Sequence, residues 1–254
     1  FFIAVGTPAV NTDNWTPFMP QGFAGVGAAA AIVFFAYIGF DAISTTAEEA
    51  KNPQRDLPIG IIASLGICTV LYIAVAAVLT GLVPVAQIDI YAPVADALSK
   101  VGFKWGAAMV AIGAVAGITS VLVVMMLGQI RVFFAMSRDH LLSPWLSTVH
   151  PCYGTPHYAT ILTGIGVAIL AALIPIGDAA DMTNIGTLFA FVLVCIGVVV
   201  LRYTKPNQPR PFRLPFMPVV PILGLLACLG LMSFLPWVTW IRFGIWTTIG
   251  IAVY

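Results

Sequence analysis

The stretch Ala31-Ile-Val-Phe-Phe-Ala-Tyr-Ile-Gly39-Phe-Asp41-Ala-Ile-Ser-Thr-Thr-Ala-Glu48-Glu49 decides the reading of this chain. It opens as an apolar helix long enough to enter a bilayer. It then sets Gly39, a poor helix residue, two positions before Asp41. An acid inside an otherwise apolar span marks a functional site by default. If the helix extended from Gly22 to Ala50, residues 36–41 would fall near its middle. Two readings follow. The helix is broken there, or it is continuous and Asp41 pairs with a neighbouring helix. In the broken form the first half ends in carbonyls, the negative end of a dipole, which attracts an ammonium group. Asp41 then caps the second half-helix, faces a cationic side chain, or carries a coupling proton.

Working outward, the rest of the 254 residues is equally apolar. The chain is 60% hydrophobic and 8% charged, whereas soluble domains carry about 25% charged residues. Lipid must therefore cover most of its surface. A net charge of +1 gives no basic patch for nucleic acid. The four cysteines follow no disulfide or zinc spacing. No cofactor motif is present, and neither cofactor nor metal is expected. His140, His150, His157 and Cys152 share one loop without a ligand pattern.

The uncharged runs are Gly22–Phe40, Ile59–Ile88, Trp105–Ile130, Tyr158–Gly177, Met182–Leu201 and Leu214–Ile241. The last is too long for one crossing and divides at Pro236, giving one helix from Pro218 and another to Tyr254. Seven spans result. They must be helices, because backbone polar groups in hydrocarbon pair internally. The fold class is thus an all-α polytopic membrane protein.

Basic residues divide unevenly between the loops. Lys51, Arg55, Arg131, Arg138, Arg202, Lys205, Arg210 and Arg213 lie on one side, and Lys100, Lys104 and Arg242 on the other. The positive-inside rule makes the first side cytoplasmic, with the Lys51–Pro58, Arg138–His157 and Arg202–Arg213 loops there. The Pro84–Lys104 loop has room for a short surface helix. In Arg138–His157, Leu141, Leu142, Trp145 and Leu146 repeat at helical spacing, as in a helix lying on the membrane face or packed on the protein.

The loop after the decisive stretch reads Glu48-Glu49-Ala-Lys-Asn52-Pro53-Gln-Arg55-Asp56-Leu-Pro58-Ile. Pro53 disfavours helix at Asn52. Pro58 suits the first turn of the next helix, and Asp56 complements its positive end.

Taken with Phe35-Ala-Tyr-Ile-Gly-Phe-Asp41, this string resembles the sixth helix and following loop of the amino acid–polyamine–organocation superfamily. The similarity is greatest to the cationic amino-acid transporter family and its bacterial relatives. Arg131-Val-Phe-Phe-Ala-Met-Ser-Arg-Asp139-His-Leu-Leu-Ser-Pro144 resembles the end of that family's eighth helix, and Asn184-Ile-Gly-Thr-Leu-Phe-Ala190 its tenth. The resemblance implies a leucine-transporter-type inverted-repeat fold. Residues 1–21 would be an extracellular lead-in, 22–203 the second five-helix repeat with a broken first helix, and 204–254 two trailing helices. Helices one to five would then precede the chain as its missing partner.

The resemblance also implies a substrate site at Phe35, Ala36, Tyr37 and Ile38, followed by Gly39 and Asp41, with Phe35 as an aromatic lid. Met125, one turn from Val121, would line the side-chain pocket, and Gly113-x-x-x-Gly117 would admit a close helix. Packing alone is the competing explanation for Phe35, Tyr37 and Met125. Arg131 or Arg138 could pair with Glu48 or Glu49 at a cytoplasmic gate, although surface charge also explains them. The implied function is transport of an L-amino acid, cationic in the leading reading, across the plasma membrane by alternating access. Coupling would be to a proton or by exchange. A neutral amino-acid or polyamine carrier of the same fold is the alternative, and a seven-helix receptor the competitor from another class. No nucleophile or clustered-acid motif speaks for an enzyme.

Overall fold

The computed structural model describes residues 1–210 and 212–253. The side chains of Thr46, Glu48, Glu49 and Val253 lie outside that description, as do Pro211 and Tyr254. The described residues form helices α1 (Phe2–Gly6), α2 (Gly22–Tyr37), α3 (Pro53–Leu82), α4 (Pro93–Lys100) and α5 (Lys104–Arg138). They continue as α6 (His157–Leu173), α7 (Ile176–Thr204), α8 (Val219–Ser233) and α9 (Trp237–Val253). Short 3-10 segments join them, and no strand occurs among the described residues. The chain is an all-helical polytopic membrane protein.

Seven apolar helices occupy the seven expected segments. Three, α3, α5 and α7, are long and apolar enough to cross a bilayer by themselves, and α2 joins them when its continuation to Thr45 is included. The trailing pair α8 and α9 passes the same test only jointly, bent by 115° at the break between them. By length and composition alone, four helices pass as single spans, or five with that pair as one, while all seven expected segments are helical among the described residues. The remaining apolar helix, α6, has 17 residues. At 1.5 Å per residue this is about 25 Å, short of a hydrocarbon core of about 30 Å.

Several boundaries differ from those read in the sequence. The third helix begins at Pro53, so Pro58 sits inside it and not in its first turn. Asn52 sets the start, its carbonyl accepting from the N–H groups of Arg55 and Asp56 at 3.1 and 2.9 Å. Asp56 does lie in the first turn. The seventh helix starts at Ile176, six residues earlier than expected, and takes Asp178 and Asp181 into its first turns. The Pro84–Lys104 loop carries the expected short helix, α4. The Arg138–His157 loop carries no amphipathic helix, only a four-residue 3-10 turn at Pro144–Ser147. Its Leu146 is buried against Ile130 and Ala159, with Leu142 and Phe133 beside them. Ser137, itself buried, holds the loop by donating to the Ser143 carbonyl at 2.8 Å. Tertiary burial of those leucines replaced the helical periodicity.

The chain divides into two compact units. The first comprises residues 1–20 and 61–125. Its core gathers Phe2, Val78 and Leu98. Here the lead-in binds the end of α3: Asn11 N–H and Asn14 Nδ2 both donate to the Gly81 carbonyl, at 3.0 and 2.8 Å. Trp15 Nε1 donates to Thr80 Oγ1 at 3.1 Å. Glycine is required at 81, since a Cβ there would stand 2.6 Å from Val10.

The second unit comprises residues 21–60 and 126–254 and is organised around α7. The α7 face formed by Ile185, Leu188 and Val192 is buried against Ala31 of α2 and Met232 of α8, with Leu235 completing the core. An ion pair of 3.0 Å joins Arg242 of α9 to Asp178 in the first turn of α7. At the other end of α7, the Arg210 guanidinium donates to the carbonyls of Leu201, Lys205 and Pro206 at 2.7–3.1 Å. It thereby satisfies acceptors that the helix end leaves over.

Much apolar surface is left uncovered. Along the most apolar stretch of α5 no residue is buried. Gly113 and Gly117 lie within it, and neither has a described atom within 4 Å of where a Cβ would be. An apolar face of this extent needs lipid or further helices against it.

Candidate functional site

The decisive stretch is a broken helix. Helical hydrogen bonding in α2 stops at Tyr37, and Ile38 turns extended, with φ −61° and ψ 128°. Gly39 follows at φ +131°, a conformation open to glycine and strained for any L side chain. Phe40 returns to helical angles, and Asp41–Glu49 then winds as a 3-10 helix of nine residues. Runs of that geometry rarely exceed 3–4 residues, and longer ones mark hinges or strain. The break thus falls at Ile38–Phe40, inside the expected interval, and the second half-helix is wound as a 3-10 helix.

Two tight turns close around the break. Ile38 N–H donates to the Phe35 carbonyl at 3.2 Å, and Ala42 N–H to the Gly39 carbonyl at 3.1 Å. Asp41 acts between them. Its Oδ1 accepts from the Gly39 N–H at 3.0 Å. The expectation that Asp41 caps the second half-helix is corrected by this bond. The carboxylate reaches two residues backward and clasps the break itself, and among the described residues no side chain caps the start of the Asp41–Glu49 segment. Steric reach explains the direction. Gly39 at positive φ aims its N–H toward the following turn, where the short Asp41 side chain can meet it.

Phe35 is exposed in the last turn of α2 at 43% of its surface, and Ala36 is exposed beside it. Tyr37, Ile38, Gly39 and Asp41 are half-buried. These six residues form one continuous structure. Met125 is half-buried and is assigned to the first compact unit, the break to the second. Gly128, one turn further along α5, belongs to the second unit, where a Cβ would approach Thr45 Oγ1 to 4.0 Å.

Residues that sequence reasoning did not assign support the break from α7. Asn184 is fully buried and its Nδ2 donates to the Ala31 carbonyl at 3.0 Å. Phe191, two turns further on, meets Phe34 edge-on at a centroid distance of 6.2 Å and Phe40 at 5.5 Å. One α7 side chain therefore meets a ring of α2 before the break and the ring of Phe40 within it. Asn184 was visible as a polar residue opening the Asn184–Ala190 motif, but spacing alone does not reveal its partner 153 residues away.

The remaining candidates are less organised. The gate pairing of Arg131 or Arg138 with Glu48 or Glu49 falls on side chains outside the described residues. Arg138 lies 3.7 Å from Asp139. His150 and His157 rings stand 5.1 Å apart. His150 Nδ1 accepts from the Cys152 N–H at 3.2 Å, which commits it to the main chain. Among the described residues no three His, Cys, Asp or Glu converge as metal ligands.

Comparison with known proteins gives the family. The amino acid permease family model matches residues 1–253. The chain belongs to the amino acid permease family. It is 51% identical over its whole length to the branched-chain amino acid permease BcaP of Bacillus subtilis (strain 168), of which it covers 55%. It is 49% identical to the methylthioribose transporter of the same organism, again covering 55%. Over 80% of its length it is 42% identical to cationic amino acid transporter 1 of Arabidopsis thaliana, covering 34% of that protein. The chain spans about half the length, or less, of these curated relatives. The matched family and its relatives are permeases and transporters, not enzymes. The break, its Asp41 clasp and its α7 support lie together in the second unit.

Proposed function

We propose that the complete permease carries an L-amino acid across the cell membrane by alternating access, and that the break at Ile38–Phe40 is half of its substrate site. The observation that carries this reading is the interruption of α2 at Tyr37, where the carbonyl end of a helix meets a half-buried turn. That end carries a partial negative charge of about half an electron. It suits the α-ammonium group, which every amino acid presents regardless of side chain. Phe35, exposed beside it, serves as the lid. Unwound backbone at membrane depth is tolerated only where it is buried in protein or lines a cavity. The Lys51–Pro58, Arg138–His157 and Arg202–Arg213 loops face the cytoplasm in this reading.

For the side chain, the leading reading is a neutral amino acid. Asp41 Oδ1 holds the Gly39 N–H, which gives the carboxylate a structural use at the break. The 51% identity to a branched-chain amino acid permease supports the same choice. A cationic substrate is the second reading, favoured by the similarity to cationic amino acid transporters. Coupling is to a proton or by exchange.

The test is uptake of radiolabelled amino acids by the full-length permease in proteoliposomes, with and without an inward proton gradient. Saturable leucine, isoleucine or valine uptake exceeding that of arginine and lysine is expected. Uptake of none of the five, under either condition, would defeat the proposal. Dominant arginine uptake would transfer the assignment to the cationic reading.

A further inference from the structure

Asn184 is an unusual residue for its surroundings. It is fully buried on the α7 face whose Ile185 and Leu188 belong to the core with Ala31 and Met232. A buried amide in such a place is retained at a desolvation cost unless it is satisfied. Only half of it is. Nδ2 donates to the Ala31 carbonyl at 3.0 Å, and Oδ1 is buried with no hydrogen-bond partner. An apolar side chain would fill the position without that cost. The hydrogen bond it makes is not needed to form α2 either, since the Ala31 carbonyl lies in the interior of that helix and not at its end.

The bond does fix register. Ala31 lies seven residues before Ile38, two turns or about 10 Å of helix from the break. Apolar packing between helices tolerates sliding and rotation, whereas a directed hydrogen bond to one carbonyl does not. Phe191 lies seven positions after Asn184 on the same face of α7. It contacts Phe34 on the near side of the break and Phe40 within it. The two contacts together make α7 a splint, pinned to the intact half of α2 at Asn184 and resting on the turn at Phe191.

We infer that Asn184 is a positioning residue of the permease, setting the depth and rotation of the Ile38–Phe40 break through its bond to the Ala31 carbonyl. The inference rests on the break being half of the substrate site. It adds that the site is held from α7, by a residue that no substrate touches.

The experiment uses full-length permease with Asn184→Leu and Asn184→Asp. Hydrogen exchange of the peptide covering 34–42 reads positioning independently of transport. Substrate uptake in proteoliposomes reads its consequence. Leucine keeps the branch at Cγ without the polar atoms and leaves no cavity, although it is the larger side chain; Asn184→Asp, which matches asparagine in size, separates lost bonding from added bulk. Asn184→Leu is expected to speed exchange at 34–42 about tenfold, with α8 and the first unit unchanged. KM is expected to rise about fivefold with the maximal rate within about twofold of the parent.

Asn184→Asp retains the shape but, when ionised, sets an acceptor against the Ala31 carbonyl. Protonation of that carboxyl at lower pH restores a donor. The KM of this variant relative to the parent at the same pH should recover as pH falls. Unchanged exchange at 34–42 in Asn184→Leu would overturn the inference. So would faster exchange spread evenly over the unit with a matching loss of melting temperature, which describes a packing residue. If exchange at 34–42 responds as expected and the parent carries no amino acid, the positioning role stands and the transport reading falls.

Discussion

Phe191 of α7 lies 5.5 Å, ring centre to ring centre, from Phe40, the residue that ends the interruption of α2. The same ring meets Phe34, six residues back on the intact helix, at 6.2 Å. Phe191 therefore bridges the two conformations of one segment. Aromatic pairs of this kind contribute about 0.5–1.5 kcal/mol each beyond burial. Phe191→Ala removes two at once and should lower the uptake rate of the full-length permease at least tenfold, while Phe191→Tyr keeps most of it. Initial-rate uptake of the two variants at matched expression is the check, and equal rates would deny the bridge.

Gly39 stands at φ +131° without a side chain. An L residue there costs about 1–3 kcal/mol of strain. Gly39→Ala should reduce transport strongly and melting temperature modestly, and Gly39→Val should reduce both further. A thermal-shift series on detergent-solubilised protein, read beside uptake, orders the variants. If Gly39→Val transports like the parent, the break does not require this backbone conformation.

Asp41 clasps the Gly39 N–H through one carboxylate oxygen. Asn retains that acceptor, whereas Ala leaves a half-buried donor without it, at about 1–3 kcal/mol. Asp41→Asn should thus preserve most leucine uptake and Asp41→Ala should lose it. Arginine uptake supplies the contrast. A selective loss of arginine over leucine transport in Asp41→Asn would assign the carboxylate to a cationic side chain.

Gly27 of α2 meets the turn between α8 and α9, where an added Cβ would collide with the Phe234 ring. Overpacking of this kind costs about 1–3 kcal/mol. Gly27→Val should destabilise the permease, and Gly27→Val with Phe234→Ala should regain part of the loss. The double-mutant cycle on melting temperature measures the coupling. Additive effects would mean that the two residues do not share that space.

The seven apolar segments and the break were legible because both follow from local chemistry. A chain with 8% charged residues must place its uncharged runs in lipid, and a glycine two residues before an acid weakens a helix wherever the rest of the chain goes. The short helix Pro93–Lys100 was legible for the same reason. The direction in which Asp41 bonds was not. It depends on the positive φ of Gly39, and a string of residue names does not contain that angle. Nor was the collapse of the Arg138–His157 leucines into a turn. Their spacing suits a helix, but Leu146 gains more by burial against Ile130 and Ala159.

The sequence by itself therefore determined the class of the protein, the place where its first long helix fails and the residues available there. Composition and backbone propensity act over a few neighbours, so they can be read along the chain. Only the tertiary structure decided what holds the failed helix in place. Asn184 reaches Ala31 across 153 residues, and Phe191 reaches Phe34 and Phe40. Contacts so distant in sequence exist only once α7 has packed against α2, because the energy that selects them comes from burying two helix faces together.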